Sequence, residues 1–115
     1  MAYFRLVLVR LISLTLDQVS SLSALEPYGA GHRRPVFAAT DILVVGEPRI
    51  IGRTAEHISF DVAQGTTRLR AVGFNLASRR GELHPGRFHT IVFSPILNEW
   101  MGRTSVELHI KDFAG

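Results

Sequence analysis

At Pro35 the hydrophobic pattern of this chain changes period, and the change limits the folds open to it. From there on, apolar residues recur at the spacing of strands. Val36 to Gly46 is a long apolar run, broken at Gly46-Glu47-Pro48 and resumed by Arg49-Ile50-Ile51-Gly52. A strand with glycines at that spacing can coil sharply, as the first strand of a small barrel must. Ile58, Phe60 and Val62 then alternate with Ser59, Asp61 and Ala63, which predicts a half-buried strand. Gln64-Gly65-Thr66 is a hairpin turn leading into a strand over Arg68–Asn75. Residues 76–86 lose the alternation, and Ala77–Arg80 predicts one or two helical turns stopped by Gly81. Arg87–Trp100 is a further strand, Trp100-Met101-Gly102 a turn. In the last strand Val106, Leu108 and Ile110 point inward, while Ser105, Glu107, His109 and Lys111 point outward.

Before Pro35 the period is helical. Thr15 and Gln18 have the spacing of a capping box, with Leu14 and Val19 placed as its hydrophobic staple. Leu16, Val19, Leu22 and Leu25 form an apolar stripe, so a helix is expected over 15–26, ended by Pro27. Tyr28-Gly29-Ala30-Gly31 is its flexible exit. The opening MAYFRLVLVRLISL reads as a strand or helix whose apolar side needs a partner surface. Its apolar stretch, Val7 to Leu16, is interrupted by Arg10 and Ser13 and is shorter than the ~20 residues of a membrane span. No small-x-small cleavage site follows it, so it is not read as a secretion signal. The expected organisation is an N-terminal strand or helix and linker over 1–34, then a barrel domain over 35–115.

Five strands, one of them long and glycine-coiled, with an irregular link between the third and fourth, match the OB-fold. This is an all-β, five-stranded Greek-key barrel, here preceded by a short helix; such barrels bind oligonucleotides. SH3-like barrels are the rival architecture. A chain of 115 residues with 46% apolar residues suits one autonomous core. The absence of cysteine excludes disulfide scaffolds, cysteine zinc sites, iron–sulfur clusters and thiol nucleophiles together.

Most chemistry fails on spacing. Gly46–Thr54 imitates a phosphate-binding Walker loop, but it has one residue too many between the glycines and Arg53 where lysine is required. Gly29-Ala30-Gly31 lacks the third glycine of a dinucleotide fingerprint. His32, His57, His84, His89 and His109 are scattered without metal-ligand spacing. Asp41, Glu56, Asp61 and Glu99 lie on separate elements, and no GxSxG elbow is present. The chain by itself reads as non-catalytic.

Charge points elsewhere. Thirteen basic residues against ten acidic ones leave a net +3, and Lys111 is the single lysine. Arginine presents a planar fork of donors that grips phosphate and stacks on bases. Segment 61–90 carries Arg68, Arg70, Arg79, Arg80 and Arg87 against Asp61 and Glu82, a basic pole that suits a polyanion. Arg68 and Arg70, two apart, share one strand face. Phe74-Asn75 follows at the strand end, and Trp100 and Arg103 flank the last hairpin. Single-strand binders combine an arginine-lined groove with such aromatic platforms. For Phe74 and Trp100 ordinary barrel packing is the competing reading.

The wording of the sequence adds a resemblance. Leu25-Glu26-Pro27-Tyr28-Gly29-Ala30-Gly31, Arg34-Pro35-Val36-Phe37, Ala71-Val72-Gly73-Phe74-Asn75, and Asn98-Glu99-Trp100-Met101-Gly102-Arg103-Thr104-Ser105-Val106-Glu107-Leu108, ending Lys111-Asp112, resemble the C-terminal OB domain of the RecJ family. The resemblance runs from about Ser13 to Phe113. One departure is His32-Arg33, where the family has asparagine-proline. RecJ nucleases are single-strand-specific DNA exonucleases of recombination and repair. They hold manganese or magnesium with aspartates and an Asp-His-His motif in an upstream domain, and this sequence contains no Asp-His pair. The resemblance therefore implies a cytoplasmic, DNA-holding module of a 5′-end-directed exonuclease, with no cofactor of its own. Its implied partners are single-stranded DNA and RecJ-type catalytic domains or other repair proteins. Its implied contacts are Tyr28, Arg33, Arg34, Arg68, Arg70, Phe74, Asn75, Trp100 and Arg103. A protein–protein docking module with little DNA affinity and a free-standing RNA-binding OB domain are the alternatives.

Overall fold

Two left-handed residues let one strand serve two neighbours. In the computed structural model, which describes residues 6–23 and 34–115, the fifteen-residue strand β2 (Phe37–Ile51) carries a register shift between Ala39 and Ile42 and another between Val45 and Arg49. Asp41 (φ 55°) lies in the first and Gly46 (φ 72°) in the second. Bulges of this kind bend a strand and sharpen its twist, and glycine or aspartate tolerates the left-handed conformation they need. The first half of β2 accordingly pairs with β5 (Phe88–Trp100) and the second half with β3 (His57–Gln64).

The rest of the ladder closes the barrel. β3 pairs antiparallel with β4 (Thr67–Gly73), β4 pairs parallel with β6 (Arg103–Ala114), and β6 pairs antiparallel with β5. The circuit β2–β3–β4–β6–β5–β2 is the OB arrangement expected for the five long strands, and closure removes exposed sheet edges. The last hairpin turns at Met101 (φ 52°) and Gly102 (φ 75°), the two positive values that a two-residue turn matched to strand twist requires. Ile58, Phe60, Val62, Val106, Leu108 and Ile110 are buried as the alternation predicts, around Ile42, Ile91 and Phe93.

The N-terminal residues join this core. β1 (Val7–Leu8) runs parallel to the start of β2, so part of the apolar opening is a strand. A 3₁₀ turn (Leu11–Ser13) and helix α1 (Leu16–Ser23) follow. Thr15 Oγ1 accepts the Gln18 amide at 3.2 Å, which is the predicted cap, and Leu14 and Val19 are buried on either side of it. Leu11, Leu14 and Val19 belong to the barrel's hydrophobic cluster. The expected stripe is corrected in one respect: Leu16 is exposed. Steps of three residues drift around a 3.6-residue helix, so an i, i+3 row cannot stay on one face. The predicted helical residues 24–26, and Leu25 of the stripe, lie outside the described residues.

The link between β4 and β5 is a 3₁₀ helix (Ala77–Glu82) that runs through Gly81 instead of stopping there. Leu76 and Leu83 at its two ends pack on the core.

Candidate nucleic-acid interface

The outward residues of β3, β4 and β6 build one concave strip. Inward residues alternate with outward ones along each strand, so burial of Phe60, Val62 and Ala71 turns Ser59, Asp61, Arg68 and Arg70 to the outside. These four, with Arg49, Ile51 and Glu47 from β2, line a groove of about 370 Å³. A second pocket of about 670 Å³ is lined by Arg70, Asn98, Trp100, Met101, Arg103, Ser105, Val106 and Glu107. Arg70 forms a wall of both, so the two spaces are adjoining parts of one surface.

Two cations of this strip, Arg68 and Arg70, are held in place by acids and a hydroxyl. The Arg68 guanidinium donates to Asp61 Oδ2 at 2.7 Å. The Arg70 Nε donates to Ser59 Oγ at 3.2 Å and stands 4.0 Å from Glu107 Oε2. Glu107 Oε1 is 3.1 Å from His109 Nε2, and burial holds the His109 imidazole below its ordinary value although Glu107 pulls the other way. Both arginines stay largely exposed, so their interactions with acids are weak surface contacts that a phosphate can replace.

The aromatic residues face outward. Trp100 is 70% exposed and Phe74 49%, and neither belongs to the hydrophobic core. The Phe74 ring packs edge-on between His57 and His109, at 5.2 and 5.0 Å between centroids. Asn75, left-handed at φ 60°, gives its amide to His57 Nδ1 and thereby anchors the end of β4. Glu56 pairs with His57 at 2.9 Å and also accepts from the Thr54 hydroxyl, which lowers the carboxyl's pKa.

Of the residues predicted from sequence, Arg68, Arg70, Trp100 and Arg103 come together on the strip, and Phe74 and Asn75 sit at the end of β4. Arg34 lines a different pocket, with Val36, Ser94 and Lys111. Tyr28 and Arg33 lie outside the described residues. The basic pole of segment 61–90 is divided by the fold. Arg79 donates to Glu82 and Asp112, at 3.0 and 2.6 Å, and covers the Phe113 ring at 4.2 Å. Arg80 donates to the Pro48 carbonyl at 2.9 Å and lies 3.7 Å from Glu47, pinning the kink of β2. These two guanidiniums tie elements together.

Sequence reasoning missed Arg49, Asn98 and Glu107 as lining residues. For Glu107 the outward alternation of β6 was a usable signal. For Arg49 none existed, because the bulge at Gly46 resets which side residues face. Among the described residues no three His, Asp or Glu side chains form a group that could hold a metal ion, and no helix is long and apolar enough to cross a membrane.

Three comparisons bear on this geometry. The RecJ OB domain family matches the chain over residues 7–112. The single-stranded-DNA-specific exonuclease RecJ of Bacillus subtilis is 28% identical over 101 residues, covering 88% of this chain and 13% of the relative's length. The chain thus spans a small fraction of that relative. RecJ of Thermus thermophilus in complex with Mn2+ superposes with a TM-score of 0.66 at 22% identity, covering 95% of this chain and 15% of the other. The SSB domain of a Synechococcus protein superposes with a TM-score of 0.61 at 14% identity, over 74% of this chain and 98% of that domain. At such identities the superpositions speak for the barrel fold alone.

Proposed function

The chain belongs to the RecJ OB domain family, and from that premise we propose that it is the module that holds single-stranded DNA for a RecJ-type exonuclease. The observation that carries this reading is the continuity of the strip through Arg70, from Arg49 and Arg68 at one side to Trp100 and Arg103 at the other. Exposed guanidiniums take the phosphates, and an exposed indole stacks on a base without regard to its identity. The Bacillus subtilis relative supports a DNA partner, since it is a single-stranded-DNA-specific exonuclease. Metal-dependent cleavage belongs in this reading to a catalytic core that holds manganese or magnesium, as RecJ structures with Mn2+ and Mg2+ do. The setting is the cytoplasm, in recombination and repair. Arg34, in its separate pocket, extends the proposed contact surface, and Tyr28 and Arg33 remain contact candidates by sequence.

The experiment is a titration of labelled single-stranded DNA and RNA of one sequence at two salt concentrations, with wild type and an Arg68→Ala, Arg70→Ala double variant. DNA affinity that falls steeply with salt is expected, and the double variant lowers the logarithmic salt slope by about one to two. An unchanged slope removes these arginines from the contact surface. A preference for RNA supports the RNA-binding alternative.

A second reading rests on a specific observation. Leu6, Val7, Leu8, Ile12, Leu16 and Phe88 expose apolar side chains in the N-terminal segment and at the start of β5. A docking module for a protein partner would cover them. Absence of DNA binding together with self-association through this segment favours that reading.

A further inference from the structure

The pocket under the β5–β6 hairpin carries a recognition pattern beyond phosphate and stacking. Resting on the DNA-holding reading above, we propose that it takes one unpaired guanine, whose Watson–Crick edge is read by Arg70 and Glu107.

Glu107 and Arg70 are directly paired across the parallel β4–β6 ladder, so their side chains leave the sheet side by side. They do not form a close salt bridge, because 4.0 Å separates Arg70 Nε from Glu107 Oε2. Each is steadied from behind by a different neighbour. Ser59 Oγ accepts a hydrogen bond from Arg70 Nε, and the terminal nitrogens of the fork have no hydrogen-bond partner among the described residues. His109 engages Glu107 Oε1. Each carboxylate oxygen has two lone pairs, so Glu107 keeps acceptor capacity, chiefly at Oε2. Its side chain is 14% exposed and shares the lining of the pocket with the exposed Trp100 and Met101.

A cationic donor beside an acceptor-only carboxylate selects among the four bases. Guanine presents an acceptor, O6, next to two donors, N1–H and the N2 amino group. O6 faces the guanidinium and the donors face the carboxylate. Thymine places a carbonyl on each side of its one N–H, so an acceptor meets the carboxylate. Adenine and cytosine each offer one amino donor beside a ring acceptor, and satisfy Glu107 once at most. Discrimination by such a paired contact is worth about tenfold or more in affinity. A site that serves only to neutralise phosphate gains nothing from a half-buried carboxylate, which repels the backbone.

The test uses the intact chain and fluorescently labelled short oligothymidines, unmodified or with one central guanosine, adenosine, cytidine or inosine, at one salt concentration. The guanosine oligomer is expected to bind about tenfold more tightly than oligothymidine. Inosine, which lacks the N2 amino group, loses part of that gain in the unaltered protein, so this arm requires no variant to fold. Glu107→Gln is expected to cut the guanine preference severalfold, read as the ratio of guanosine-oligomer to oligothymidine affinity within the variant. Equal affinity for guanosine and thymidine oligomers with salt-sensitive binding intact overturns the guanine pocket and leaves the DNA-holding reading standing. Equal affinity for guanosine and inosine oligomers, or an unaltered preference in Glu107→Gln, overturns the carboxylate readout. Failure of all oligomers to bind overturns both readings.

Discussion

Arg68 is ion-paired to Asp61 at 2.7 Å, although the residue directly opposite Asp61 in the β3–β4 ladder is Arg70. The pairing is diagonal because Arg70 is drawn to the other side by Ser59 Oγ and Glu107. Asp61 thus competes with any incoming phosphate for Arg68. Both side chains are largely exposed, so the pair is worth less than about 1 kcal/mol and yields to a polyanion. Asp61→Asn is therefore expected to raise affinity for single-stranded DNA by a few-fold and to steepen its salt dependence by up to about one unit of slope. Fluorescence anisotropy over a salt series measures both. Lower affinity in the variant would mean that Asp61 positions Arg68 for binding.

Trp100 separates binding from stability. It is 70% exposed at the mouth of the hairpin and outside the core, so Trp100→Ala leaves the thermal unfolding midpoint close to that of wild type. In the DNA-holding reading the same change removes a stacking platform and is expected to weaken binding by about 1–3 kcal/mol, a factor of roughly five to a hundred and fifty. Calorimetric unfolding beside an oligonucleotide titration checks the two halves. A destabilised variant with unchanged affinity would make Trp100 a packing residue.

Arg79 fastens the β4–β5 link to the end of β6 and makes stability depend on acidity. Its guanidinium holds the Glu82 and Asp112 carboxyls below their ordinary pKa values of 4.5 and 3.8, and Arg79 itself is pushed higher. Both acids bind protons less readily in the folded chain than in the unfolded one. Their contribution is present above the unfolded values and is lost as pH falls through the depressed folded values. Arg79→Gln should lower the unfolding midpoint at neutral pH, and the gap to wild type should narrow toward pH 3. A gap that stays constant over this range would show that the cation over Phe113, not the carboxylates, carries the effect.

Ser94 is buried, and its hydroxyl has no hydrogen-bond partner among the described residues. An unsatisfied buried hydroxyl costs about 1–3 kcal/mol. Ser94→Ala is thus expected to leave stability unchanged or to raise it, as read from urea denaturation. Destabilisation by more than about 1 kcal/mol would contradict the unpartnered state of this hydroxyl.

The barrel was legible because its signals are local. The alternation of Ile58, Phe60 and Val62, the turn at Gln64–Thr66, and the outward row Ser105, Glu107, His109 and Lys111 each follow from period two within one strand. Arg68 and Arg70 were legible for the same reason, and Trp100 and Arg103 because they flank the last hairpin. What could not be read depends on contacts far apart in sequence. Arg79 counts in the basic pole of segment 61–90 by sequence, but Asp112 and Phe113, more than thirty residues on, are brought against it. Arg49 went unnoticed because its outward position depends on the bulge between Val45 and Arg49. A three-residue stripe drifts around α1, and that the drift leaves Leu16 on the exposed side depends on how α1 lies on the barrel.

Gly73 tests the packing beneath the interface. It ends β4 between β3 and β6, paired with Ile58 on one side and Ile110 on the other. A Cβ added there would stand 2.9 Å from Ile58 Cγ2 and 2.9 Å from Leu76 Cδ1. Ile58 is fully buried and Leu76 packs on the same core, so neither can withdraw without moving its own neighbours. Gly73→Ala is expected to destabilise the fold by about 1–3 kcal/mol through overpacking. It should also weaken DNA binding, because Phe74 and Asn75 take their positions from this strand end. Gly81 supplies the control: an added Cβ there meets open space, and its φ is not in the left-handed region. Gly81→Ala should therefore be neutral or stabilise by up to about 1 kcal/mol, by restricting the unfolded chain. Urea denaturation of the two variants side by side separates a steric effect from a general intolerance of side chains in this segment. Equal losses at both positions would refute the steric account of Gly73.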